Sequence, residues 1–131
     1  MGALSFDTSF LIDFQKERLK GEGVAHAFLR HHGESVAYLS IVAYGEYAEG
    51  FADRSSGAFI SVVESFELLM VNRRVADRFA ETSRQLRMEG RLIGANDLWI
   101  AAVSLVHELP LVTGNVEHFQ RVPDLQVIGY R

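Results

Sequence analysis

Five short apolar runs, Ala3 to Phe6, Val36 to Leu39, Leu68 to Val71, Leu111 to Thr113 and Val127 to Ile128, stand at wide intervals along this chain, and each contains β-branched or aromatic members. Runs of that length and composition read as strands. The stretches between them are too long for hairpin turns and carry apolar residues at helical spacing. Helices therefore cross over between strands, and the strands lie parallel. The expected class is α/β.

The intervening helices are legible from their apolar faces. Phe10, Leu11 and Phe14 share one face, and beyond the break at Gly21 to Gly23 the set Val24, Ala25, Phe28 and Leu29 forms another. A helix through Val42 to Phe51 ends near Gly50. Phe59, Val62, Val63 and Phe66 pattern a segment before the third strand, and Val71, Val75, Phe79 and Leu86 stripe a long helix behind it. Asn96 and Asp97 suit a helix start, and Pro110 forbids continuation of the apolar helix that follows. No repeat or linker interrupts residues 1–131, so one domain is expected, burying roughly two-thirds of its unfolded surface.

With 48% hydrophobic and 23% charged residues the chain is not disordered, and its lack of Cys excludes a disulfide framework and thiolate metal ligands. Metal chemistry would fall to His, Asp and Glu. The longest nearly apolar run, Leu98 to Val106, is nine residues, short of the roughly 20 that a membrane span needs. No basic start precedes an apolar leader, and Phe6 stands where a myristoylation signal needs Ser or Thr. A soluble, cytoplasmic protein without membrane attachment is expected. A net charge of −4 argues against coating nucleic acid by bulk electrostatics. Locally, Arg73, Arg74, Arg78, Arg84, Arg87 and Arg91 outnumber Asp77, Glu81 and Glu89. That strip could grip RNA backbone or an acidic segment, or form an ordinary solvated face.

Three acids look misplaced for a purely structural role. Asp7 follows the first strand directly, at the sheet edge where open α/β folds bind ligands, although an Asp there also caps the next helix. Glu46 lies in a helix that otherwise reads as largely buried, so it is paired, metal-bound or on an exposed edge that Glu49 shares. Asp97 stands at a helix start, as a cap or as a ligand. Three carboxylates in one small site would raise one another's pKa unless a cation neutralised them, and hard oxygen donors select Mg²⁺ or Mn²⁺.

In order and at their separations, the phrases Phe6-Asp7-Thr8-Ser9, Ser40-Ile-Val-Ala43-Tyr-Gly-Glu46-Tyr-Ala-Glu-Gly50, Gly94-Ala-Asn96-Asp97-Leu-Trp-Ile100 and Leu111-Val-Thr113-Gly-Asn115-Val-Glu117-His118-Phe119 resemble the motifs of PIN-domain ribonucleases. The likeness is greatest to the VapC toxins of toxin–antitoxin pairs. It implies a three-layer sandwich with a mostly parallel, roughly five-stranded sheet flanked by helices. It also implies a metal-dependent endoribonuclease with catalytic Asp7, Glu46, Asp97 and Asn115, metal held by Asp7, Asp97 and Glu46, and Ser9 and Thr113 as supporting hydroxyls. Mg²⁺ or Mn²⁺ is the implied cofactor, with one tight ion and a second arriving with the RNA phosphate. The implied partners are RNA, a VapB-like antitoxin through which DNA is met only indirectly, and a second copy in a homodimer. The faces of Phe10, Phe14, Val24 and Phe28 are dimer candidates or core. His118 departs from the acidic residue frequent before this Phe, and Ala43 from a common Thr. A non-catalytic PIN-like binding module is the alternative.

The remaining signals are weaker. His26, His31 and His32 have no metal-binding i, i+4 pairing, and Leu109 and Pro110 cut His107-Glu108 off from any zinc motif. His118 is a proton carrier or a surface residue. Trp99 reads as core or interface. An Asp nucleophile of the haloacid-dehalogenase kind needs a second Asp where this chain has Ser9.

Overall fold

The computed structural model describes residues 2–131. Its five strands are β1 (Gly2–Phe6), β2 (Ser35–Ser40), β3 (Glu67–Leu69), β4 (Leu111–Thr113) and β5 (Val127–Gly129), all paired in parallel in the order β3-β2-β1-β4-β5. The expected α/β class and five-stranded parallel sheet are what forms. β3 is shorter than its apolar run, because Met70 and Val71 leave the sheet and stay exposed.

Among the described residues seven helices connect the strands: α1 (Thr8–Lys20), α2 (Val24–His31), α3 (Ile41–Glu49), α4 (Gly57–Val63), α5 (Arg73–Met88), α6 (Ala95–Val106) and α7 (Val116–Phe119). Side chains that accept a backbone N–H fix several starts: Asp7 for α1, Ser40 for α3, Ser56 for α4 and Asn72 for α5. Among the described residues no helix is long and apolar enough to cross a membrane.

The apolar core explains the sequence patterns. Phe6, Phe10, Leu11, Leu39, Leu111 and Phe119 are buried between sheet and helices. α6 is buried nearly all round because α5 covers the side that the sheet does not, which is why its sequence lacks a polar face. Trp99 stacks on Phe79 across that helix pair at 3.9 Å, so it serves packing. Of the four dimer candidates, Phe10 and Phe14 are buried and Phe28 packs against the core, whereas Val24 stays exposed. The α1–α2 pattern is thus mainly a core pattern.

β1 positions the functional edge. The chain leaves it through α1 and α2 for β2 on one side, while β4 joins its other side only after the α5–α6 pair. Neighbouring strands with diverging connections open a crevice at their carboxyl ends. Asp7 ends β1 there, and Gly114 and Asn115 end β4 there.

Candidate active site

Asp7 is buried at the head of α1. Its Oδ1 accepts the Ser9 hydroxyl at 2.6 Å and the Phe10 N–H at 3.2 Å, and its Oδ2 accepts the Thr113 hydroxyl at 2.5 Å. The capping and site readings therefore hold together. Burial raises the Asp7 carboxyl above its ordinary value, the three hydrogen bonds oppose the rise and the Asp97 charge adds to it.

Glu46 points from α3 toward the same crevice, half-buried rather than on a fully solvated face. Its Oε1 accepts the Thr8 hydroxyl at 2.6 Å and its Oε2 accepts the Asn96 amide at 3.0 Å, so residues of α1 and α6 hold both oxygens. Asp97 lies in the first turn of α6. That helix begins earlier than the sequence reading placed it, with Gly94 as N-cap, which frees the Asp97 side chain from capping. Its Oδ2 accepts from His118 Nε2 at 2.9 Å. Burial raises the Asp97 carboxyl as well, His118 opposing and Glu46 adding.

The three carboxylates line one pocket of about 580 Å³, together with Ser9 and Asn115. Asn115 stands at the N-cap of α7 with its side chain unused for capping, and Thr113 Oγ1 accepts the Asn115 N–H at 2.9 Å. Among the described residues no basic side chain lines this pocket, whereas Glu49 adds a fourth acid. A larger cleft of about 740 Å³ opens beside Pro110, at the other end of β4. It mixes arginines with acids, and Arg78 there faces Asp124 at 3.7 Å, so its charges are partly answered internally.

Among the described residues no three His, Asp or Glu side chains form a ready-made cluster holding one ion. The carboxylates are instead braced separately, by hydroxyls, amides and an imidazole. The donor set nevertheless fits a hard divalent cation: all the donors are oxygens, four acids line the pocket with no basic side chain among its lining residues, and burial disfavours the charges of Asp7 and Asp97. Mg²⁺ keeps several of its waters, so separated carboxylates suit it better than a closed protein cage.

A PIN domain profile matches residues 5–125. This chain belongs to the PIN domain family. Ribonuclease VapC1 of Methanocaldococcus jannaschii is 31% identical over 120 residues, covering 90% of this chain and 79% of that relative. Ribonuclease VapC1 of Haemophilus influenzae strain R2866 is 31% identical over 125 residues, 92% of each chain. Among solved structures, VapBC-1 from nontypeable Haemophilus influenzae aligns with a TM-score of 0.77 at 28% identity over 99% of this chain and 98% of that one. VapBC2 from Rickettsia felis, bound to a DNA fragment from its promoter, aligns over the whole of both chains with a TM-score of 0.84 at 20% identity, a likeness of fold.

In this PIN domain Thr8, for which the sequence signals no site role, and Asn96, which it marks only as a helix-start residue, both brace Glu46. No spacing connects residues 8, 46 and 96, so the only available signal was a polar residue beside each suspected acid. Glu49, which the sequence suggests only as a solvated neighbour of Glu46, borders the pocket. His26, His31, His32 and His107 belong to no metal-holding cluster among the described residues.

Proposed function

We propose that this chain is a metal-dependent endoribonuclease of the VapC type, the toxin of a toxin–antitoxin pair, hydrolysing RNA phosphodiester bonds. One observation carries the reading: acids from β1's end, α3 and α6 line a single pocket, with no basic side chain in its lining, at the switch point of a PIN domain. Relatives named Ribonuclease VapC1 and solved VapBC complexes support it.

Asp7, Asp97 and Glu46 would hold Mg²⁺ or Mn²⁺, in part through water. The bound ion would supply an activated water at neutral pH and charge neutralisation at the phosphodiester. The chain's own work is positional. Ser9 and Thr113 orient Asp7, and Thr8 and Asn96 fix both oxygens of Glu46, which would orient the attacking water, while Asn115 would offer its amide to substrate or ion. The proposal includes a VapB-like antitoxin as partner, DNA contact only through that partner, a homodimer and a cytoplasmic setting.

The test is cleavage of RNA by the purified chain in Mn²⁺, Mg²⁺ or EDTA, with Asp97→Asn in parallel. Cleavage that needs the metal and vanishes in the variant is expected. Equal activity of the variant would trace the cleavage to a contaminant, and an inactive wild type that still binds partner would favour the non-catalytic module. Calorimetry should find one strong Mn²⁺ site in the free protein. Arg84→Ala with Arg87→Ala should weaken RNA binding and flatten its salt dependence, since both arginines are exposed.

A further inference from the structure

We propose that His118 is a positioning residue for this site, holding Asp97 through one carboxylate oxygen so that the other is kept available to a divalent cation. The proposal rests on the metal reading of the pocket and goes beyond it by giving His118 a positioning role.

The contrast among the three acids carries the inference. Ser9, Phe10 and Thr113 engage both oxygens of Asp7, and Thr8 and Asn96 engage both oxygens of Glu46. Asp97 is bound on Oδ2 alone, and among the described residues Oδ1 accepts no hydrogen bond. Asp97 is thus the carboxylate with one oxygen committed and one uncommitted.

A carboxylate only accepts, so at 2.9 Å the His118 Nε2 carries the hydrogen. The imidazole is well placed to hold that orientation. It is mostly buried, with its side chain 25% exposed, and it packs edge-on against Phe119, which is itself in the core. His118 does not line the pocket, whereas Asp97 does. It can therefore act there only through Asp97. An outer partner of this kind fixes a ligand's orientation, and removing one typically costs 10–100-fold in metal affinity.

The experiment is Mn²⁺ titration, followed by calorimetry and by electron paramagnetic resonance of free Mn²⁺, on the full chain and on His118→Ala, His118→Gln, His118→Leu and Asp97→Asn. Melting curves in EDTA establish that each variant is folded. His118→Ala should bind Mn²⁺ about 10-fold or more weakly. His118→Gln, which places an amide donor near the lost Nε2, should return to within about threefold of wild type. His118→Leu, which fills the space beside Phe119 without a donor, should stay as weak as His118→Ala, so that rescue by Gln alone separates orientation of Asp97 from packing. Wild-type affinity in His118→Ala, or a Gln variant as weak as the Ala variant, overturns the proposal. If Asp97→Asn also binds Mn²⁺ like wild type, the metal reading of the pocket falls. If only the His118 variants behave as wild type, that reading stands and the positioning role alone is lost.

Discussion

Replacing Asp7 by Asn should make the metal-free protein more stable and the enzyme far less active. Asn caps a helix about as well as Asp, so the Phe10 N–H keeps its acceptor. Thr113 Oγ1, which now donates to Asp7, can turn to accept the new amide. The variant forfeits a charge–dipole interaction at the α1 start worth about 0.3–1 kcal/mol. Against that, burial and the Asp97 charge push the Asp7 carboxyl upward, so its charged form is less favoured in the fold than in the unfolded chain. Single stabilising substitutions are commonly worth about 0.5–2 kcal/mol, and removal of this disfavoured charge is placed in that range. Less the charge–dipole loss, the net gain is at most about 1.7 kcal/mol, so at about 3–5 °C per kcal/mol for a chain of this size the melting temperature in EDTA at pH 7 should rise by up to roughly 8 °C. Wild type loses this stability as the pH climbs past 3.8 through the higher folded value, so the advantage of the variant should shrink as the pH falls toward 4. RNA cleavage in Mn²⁺ should drop about 100-fold or more, the loss of several kcal/mol of transition-state stabilisation. Circular dichroism melts and a cleavage time course read both quantities. A variant less stable than wild type would show that the Asp7 charge serves the fold, and one that cleaves normally would remove Asp7 from the chemistry.

Glu17 supplies from α1 the cap that Gly23 cannot give α2, accepting the N–H groups of Gly23, Ala25 and His26 at 2.7, 2.9 and 3.0 Å. Burial raises its pKa, but those bonds and the His26 ring outweigh that and pull it down to about 2. Glu17→Gln should cost about 1–2 kcal/mol in urea melts at pH 7. The contribution is fully present above pH 4.5 and fades as the pH drops toward 2, so the gap between variant and wild type should close at low pH. Phe10→Ala opens a void among Phe6, Phe14, Phe28 and Tyr130 and should cost about 3–5 kcal/mol by the same measurement. Gly114→Ala places a Cβ 2.4 Å from the Arg131 guanidinium. That flexible side chain can swing aside, giving up its exposed contact with Asp13, so the melting point should fall by no more than the equivalent of about 1 kcal/mol. A collapse of stability would mean that Arg131 is held rigidly.

Much of this molecule is written in local patterns. Five apolar runs at crossover spacing define the parallel sheet, the α5 stripe marks its buried face, and Asp7 is placed at the carboxyl edge simply by standing one residue beyond β1. These rules act over a few residues, through backbone period and strand length, and so they survive without knowledge of the rest of the chain. The bracing of the acids does not: Thr8 reaches Glu46 across 38 residues, Asn96 reaches it across 50, and His118 meets Asp97 across 21. Those contacts exist because α1, α3, α6 and α7 pack against one sheet edge, and packing sums many weak apolar contacts that no single segment contains. The same physics gave Phe10 and Phe14 to the core and turned Asp97 from a helix cap into a partner of His118. Class and edge follow from the order of the residues, whereas which oxygen is held and which is left open depends on the packed fold.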